Sequence, residues 1–316
     1  MKTKIALFLA TVLFFVAIFT ACKKENNNSK NDDQQTEIAY QSDDQSRVSS
    51  EIDAVANDAD ISIENSTGFT GRVSQGQSLL SDTVCDANVA YDIASNPRTI
   101  TITYNGGNCW GTRTRTGKVI IAMAQGVQWK DQGASLTLTF QDLKITRVSD
   151  NKSITINGTQ TYTNVTGGLL INLLTLGTIT HSITSSNMSI TFDDGTQRTW
   201  NVAKQRVYTF SGTNVSVTIS GTHTEGNVTN IAEWGTNRLG HAFTSSTVQP
   251  VVIRSDCNFR VTSGEIRHTL PHVTADATFG LDSNGSPTSC PGAGHYYFKI
   301  VFTGSGGNSV TLIMAY

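Results

Sequence analysis

The sequence predicts an all-β fold. It reads as an antiparallel meander of about a dozen strands forming a large curved sheet, a sandwich or a barrel, behind a short N-terminal helix. Three observations carry this. From residue 83 onward apolar residues alternate with Thr and Ser in run after run, the period of a half-buried strand. Clusters of Gly, Asn, Asp and Ser punctuate those runs at short intervals and supply the backbone freedom that tight reversals need. Charged residues make up only 15% of the chain, against roughly 25% in ordinary soluble domains. Thr, Ser, Asn and Gly take their place, the makeup of an extracytoplasmic β protein.

The chain opens with a targeting segment. Lys2 and Lys4 precede an apolar run from Ile5 to Ala21, too short for the ~20 residues of a membrane span. Phe19-Thr20-Ala21-Cys22 resembles a bacterial lipobox, so residues 1–21 read as a signal peptide and Cys22 as a lipidation site. Several acyl chains at ~0.8 kcal/mol per buried methylene would make that anchor effectively permanent. Removing residues 1–21 takes the formal charge from −2 to about −4, which gives no reason to expect nucleic acid as a partner. Residues 22–47, rich in Asn, Asp, Gln and Ser, read as a disordered tether. Val48, Ile52, Val55 and Ala56 then recur at helical spacing, so residues 48–82 are expected to form a short helix and an irregular lead-in to a β domain at 83–316.

Within that domain the most legible stretch is Arg98–Met123. Ile100, Ile102 and Tyr104 alternate with Thr; Asn105-Gly-Gly-Asn108 reverses the chain; a second strand leaves through Gly117-Lys-Val-Ile-Ile121. Further alternation marks Leu136–Phe140, Ile154–Ile156, Met188–Phe192, Trp200–Val202, Val215–Ile219, Val273–Phe279 and Tyr296–Phe302. Internal echoes point to duplicated hairpins: 153–166 matches 216–229, and His-x-x-Thr-Ser-Ser follows each, at 181–186 and 241–246. The run Gly167–Gly177 is apolar without alternation and reads as a buried strand or short core helix, with a ligand-contacting flap as the alternative.

Once Cys22 is assigned to lipid, Cys85, Cys109, Cys257 and Cys290 form an even set, as disulfides in an exported protein require. Of the three pairings, Cys85–Cys109 and Cys257–Cys290 are favoured because each pair brackets a strand and its turn. Each would add ~3 kcal/mol by loop-closure entropy.

The chemistry-bearing residues form no recognisable catalytic set. There is no Gly-x-Ser-x-Gly, no His-Glu-x-x-His and no Cys-x-x-Cys. His181, His223, His241, His268, His272 and His295 are scattered, and Pro271 separates the one pair at close spacing. Asp193-Asp194-Gly195 and Asp282-Ser-Asn-Gly-Ser286 read as turns rather than as catalytic carboxylates or a calcium loop. Glu225, Glu233 and Glu265 have no sequence partner that marks a glycosidase pair. Tryptophans in a β protein are mostly core, and Trp110 and Trp129, nearest to turns, are the better candidates for stacking on a sugar ring. Arg113 and Arg115, on the strand leaving the Cys109 turn, are candidates for partner contact against the plainer reading of a solvated face.

Cys85, the strand Arg98-Thr-Ile-Thr-Ile-Thr-Tyr104, Gly107-Asn-Cys109 and Gly117-Lys-Val-Ile-Ile121 together resemble a family of uncharacterised lipoproteins of Bacteroidota. Gly158-Thr159, Gly221-Thr222 and Cys257 ahead of Gly264 fit the same pattern, and the longer insert at 282–290 departs from it. The resemblance carries no activity, catalytic residue or cofactor. The expectation is a non-enzymatic lipoprotein at the outer membrane, held to the membrane through Cys22, that binds a glycan or an envelope protein. The alternatives are a carrier with an apolar cavity and a hydrolase whose site is assembled from distant residues.

Overall fold

The computed structural model describes residues 27–72, 83–108, 111–212, 214–257, 259–288, 290, 296–303 and 309–315. Helix α1 spans Asn27–Glu64 and the short α2 spans Thr67–Thr70. The strands follow as β1 Ala87–Asp92, β2 Arg98–Gly107, β3 Arg113–Met123, β4 Ala134–Arg147, β5 Ser153–Asn164, β6 Thr178–Phe192, β7 Gln197–Ser211 and β8 Asn214–Gly221. The rest are β9 His223–Glu225, β10 Val228–Thr236, β11 Ala242–Arg254, β12 Arg260–Leu270, β13 Val273–Leu281, β14 Tyr297–Thr303 and β15 Ser309–Ala315. A 3₁₀ turn at Leu170–Asn172 leads into α3, Leu173–Leu176, between β5 and β6.

All fifteen described strands belong to one antiparallel sheet, as the alternation predicts. β1 to β7 pair in chain order, β10 follows β7, and β10 to β15 continue in order. β8 bridges β7 and β11, and β9 pairs with β10. The sheet curls into a barrel-like wall, and a series of bulges accounts for the curvature. Register shifts fall at Thr116/Lys118 in β3, Phe140/Leu143 in β4, Asn157/Gln160 in β5 and Ser185/Met188 in β6. In each case the extra residue lies on β4 or β6, where it kinks that strand and adds right-handed twist. At the first, Gly117 sits at φ +101°, and a Cβ there would lie 2.2 Å from the Asp142 carbonyl oxygen. Only glycine allows that approach.

The main departure from expectation is α1. It begins at Asn27, well ahead of the expected start near Arg47, so residues 27–47 form helix where a tether is expected; residues 22–26 and the lipidation site Cys22 lie outside the described residues. From Gln41 to Glu64 no residue is exposed. The helix runs through the barrel. Near its start Asn237, in the β10–β11 turn, donates to Glu37 (2.7 Å). At its end the Leu170 N–H, in the β5–β6 connection, donates to Glu64 (3.0 Å). In an antiparallel meander those two connections lie at opposite ends.

Ile38, Val48, Ile52, Val55, Ala56, Ala59 and Ile63 join the inward faces of the wall in one core, with Ile100, Ile102, Leu138, Phe140, Ile156, Trp200, Phe298 and Ile300 among the partners. A smaller core under α3 joins Leu170, Leu173, Ile179, Tyr208, Val217, Ile219 and Ile253. The apolar run Gly167–Gly177 is neither a buried strand nor a core helix: Leu169, Leu170 and Leu173 pack inward at one end of the barrel, whereas residues 174–177, including Leu174 and Leu176, are exposed.

Most of the buried acids of α1 face partners on the wall. The helix carries ten acidic residues and two basic ones. Arg238 binds Asp44 through two hydrogen bonds (2.6 and 2.7 Å), Lys204 donates to Asp53 (3.0 Å) and Glu233 (3.4 Å), and Tyr208 donates to Asp60 (2.6 Å). Arg115 joins Asp58 (2.7 Å) to Asp86 (2.6 Å), and its guanidinium lies over the Tyr104 ring. A buried charge is tolerated only when it is paired and hydrogen-bonded, and these are.

The two sequence echoes take different forms. Residues 153–164 make the single strand β5, whereas 216–225 break into β8 and β9. The break falls after Gly221, where a Cβ would lie 2.1 Å from the Asn230 carbonyl oxygen. Correspondingly, His181 is buried in β6, whereas His241 lies exposed beside the β10–β11 turn.

Candidate functional site

Along α1 most side chains are sealed, but Ser50, Ala54, Asn57 and Asp58 are only partly covered. Their spacing puts them on one face of the helix. That face is the floor of a cleft of about 420 Å³. The near wall is the β2–β3 hairpin with the segment leading into β1: Asn108, Thr112, Arg113, Arg115, Thr83, Val84 and Cys85. The far wall is the β11–β12 connection: Ile253, Ser255, Phe259, Arg260 and Val261.

Local interactions hold each wall. The Asn108 side-chain oxygen accepts from the N–H groups of Thr112 (3.0 Å) and Arg113 (3.2 Å), which sets the hairpin turn. Arg113 then donates to Glu51 on the floor. Burial lowers the pKa of Arg115, but the hydrogen bonds to Asp86 and the charge of Asp58 more than reverse this, so it is raised and the group stays cationic. Burial raises the pKa of Asp58, and Arg115 opposes that rise. The reading of Arg113 and Arg115 as a solvated face is therefore corrected: both turn inward, because the strand alternation points them at the acids of α1.

On the far wall the Cys257–Cys290 disulfide ties the β11–β12 connection to the segment ahead of β14. Ser255 accepts from the Val215 N–H (2.9 Å), and Arg260 lies over the Tyr296 ring. Phe259 holds a left-handed φ of +53°. Cys85, on the near wall, is itself disulfide-bonded; Cys109, its expected partner, lies outside the described residues. Cys85 thus lines the near wall, and the Cys257–Cys290 pair ties down the connection that forms the far wall.

The other sequence candidates scatter. Ser245 and the His268 Nδ1 pair at 2.9 Å beside a cavity of about 60 Å³ that Lys204 and Glu233 also line. Burial, with the nearby charge of Arg198, lowers the His268 pKa to about 4. Such an imidazole is a weak base at neutral pH. His181 is packed between Trp129 and Tyr208, and burial and Arg206 lower it to about 3. His241 contacts Glu37 (2.6 Å), His223 stacks on Trp234, and His295 lies outside the described residues. Among the described residues the one group of three metal-type ligands is Asp256, Cys257 and Cys290, and both of its sulfurs are in the disulfide. Asp194 accepts from the Thr196 N–H (2.9 Å), and Asp282 accepts from the N–H groups of Asn284 (2.8 Å) and Ser286 (2.9 Å), so both motifs are turns.

Trp129 is 2% exposed, which corrects its reading as a surface residue; Trp110 lies outside the described residues. Glu51, Ala54, Asn57, Phe259 and Arg260 gave no signal as site residues in the sequence. The one available hint was the excess of acid in residues 27–64, which requires a basic counterpart wherever that segment is buried. No family model, curated protein or solved structure matches the chain.

Proposed function

We propose that the chain is a non-enzymatic, lipid-anchored envelope protein whose β barrel binds a glycan or a protein partner in the cleft over α1. The observation that carries this reading is the cleft itself: a recess of about 420 Å³ whose floor and both walls mix hydrogen-bonding and apolar side chains. Small-molecule sites run from roughly 300 to 1,000 Å³ with that mixture. The interior supports this reading over a carrier, because α1 and its core occupy the space where a carrier would hold an apolar ligand. It supports it over a hydrolase, because the one Ser–His pair described above adjoins a cavity of only about 60 Å³. The anchor in this reading is Cys22, on the strength of the lipobox-like Phe19-Thr20-Ala21-Cys22; no helix among the described residues is long and apolar enough to cross a membrane.

The test compares the wild-type chain with Arg113→Glu, which sets a second acid against Glu51 in the cleft. Both are applied to a glycan array and used for affinity capture from native envelopes. The expected result is a ligand or partner held by the wild type and weakened at least tenfold in the variant. Failure of the wild type in both assays would overturn the reading. Incorporation of labelled palmitate that is lost in Cys22→Ser tests the anchor.

A further inference from the structure

We propose that the ligand of this cleft is a short neutral saccharide, on the scale of a mono- or disaccharide. The inference rests on the cleft being the binding site and names the chemistry it takes. Charge is the first argument. The lining holds three acids, Glu51, Asp53 and Asp58, and three bases, Arg113, Arg115 and Arg260. Arg113 is engaged by Glu51, Arg115 by Asp58 and Asp86, Asp53 by Lys204, and Arg260 lies over Tyr296. A charged ligand group entering beside Arg113, Arg115, Glu51, Asp53 or Asp58 would have to compete with one of these ion pairs, and breaking a buried pair such as Arg115 with Asp86 is costly. A neutral ligand leaves them intact.

Hydrogen-bonding pattern is the second. Each Arg–carboxylate pair sets a donor beside an acceptor, and Ser50, Asn57, Thr112 and Ser255 add neutral polar groups along the same recess. A hydroxyl both donates and accepts, so a row of ring hydroxyls suits such paired sites.

The third is the apolar part of the lining. Phe259 and Val261 on one wall and Val84 on the other offer surfaces for the C–H faces of a sugar ring. Ala54, on the floor, is small enough to leave the recess open. A free peptide or amino acid fits less well, because its charged termini would meet groups that are already paired.

The experiment titrates the full chain, by calorimetry and protein-observed NMR, with cellobiose, lactose and N,N′-diacetylchitobiose as neutral probes. The anionic probe is 3′-sialyllactose, the cationic one is the glucosamine disaccharide, and the zwitterionic one is dialanine. Two variants accompany the wild type. Ala54→Phe fills the floor. Phe259→Gly removes the ring at a position whose left-handed φ suits glycine, and it serves if the first does not fold. The expected result is binding of at least one neutral sugar, at least tenfold tighter than any charged probe, with a tenfold or greater loss in either folded variant. A preference for a charged probe, undiminished binding in the variants, or no neutral sugar bound would overturn the inference. If Arg113→Glu still abolishes capture of a protein or charged glycan, the cleft survives as a binding site and only its assigned ligand class fails.

Discussion

Glu64 closes α1 at the barrel end covered by α3, and its carboxyl should make the fold less stable as pH rises. One carboxylate oxygen accepts from the Leu170 N–H; the other is buried with no hydrogen-bond partner. Burial raises its pKa to about 7 from an ordinary 4.5, against the pull of the Leu170 N–H and the charge of Arg72, and the neighbouring charge of Asp60 adds to the rise. The folded chain therefore holds this proton more tightly than the unfolded chain does. The associated stability is complete below pH 4.5 and is lost as pH climbs through 7. At about 1.4 kcal/mol per pH unit, the loss is about 3 kcal/mol once the group is fully ionised. Glu64→Gln keeps the shape and removes the charge. Urea unfolding at pH 5, 6, 7 and 8 should show the variant gaining on the wild type, with the gap widening by about 2.5 kcal/mol over that range, since part of the loss already falls below pH 5. Other titrating groups are common to both proteins and largely cancel in the difference. A gap that stays constant with pH would refute the reasoning.

Three further outcomes follow from the wall and its plug. Arg115→Met leaves Asp58 and Asp86 without their shared cation and should cost about 3–5 kcal/mol, read from the urea midpoint. Gly117→Ala forces a side chain against the Asp142 carbonyl at a left-handed φ; a loss of about 1–3 kcal/mol in thermal or urea unfolding is expected, and an unchanged midpoint would remove the bulge from the account of curvature. Replacing both Cys257 and Cys290 by Ser frees a 33-residue separation and should lower stability by about 3–4 kcal/mol under oxidising conditions, with no difference from wild type once both are fully reduced.

The strands were legible because their information is local. Ile100, Ile102 and Tyr104 face inward for the reason their spacing shows: successive side chains in a strand point to opposite sides, and the alternating Thr faces out. The turns at Asp194 and Asp282 were legible too, since an Asp side chain that caps its own backbone acts within a few residues. The cleft was not legible. Its floor is a helix that reads as half tether, and its two walls lie more than a hundred residues apart in the chain. The fate of Arg113 and Arg115 turned on a helix that local composition did not reveal.

The all-β class, the strand alternation and most turns could be read from the chain alone, because periodicity and spacing are properties of neighbouring residues; the Cys257–Cys290 pairing was favoured there among three and is established by the fold. That residues 27–64 fill the barrel followed from long-range packing alone. A helix carrying ten acids is soluble on its own terms, and it becomes a core element only when Arg115, Lys204, Arg206, Tyr208 and Arg238 converge on it from strands far along the chain. Whether a polar segment lies in water or in a core depends on which partners the rest of the fold presents to it, and those partners have no fixed distance in sequence.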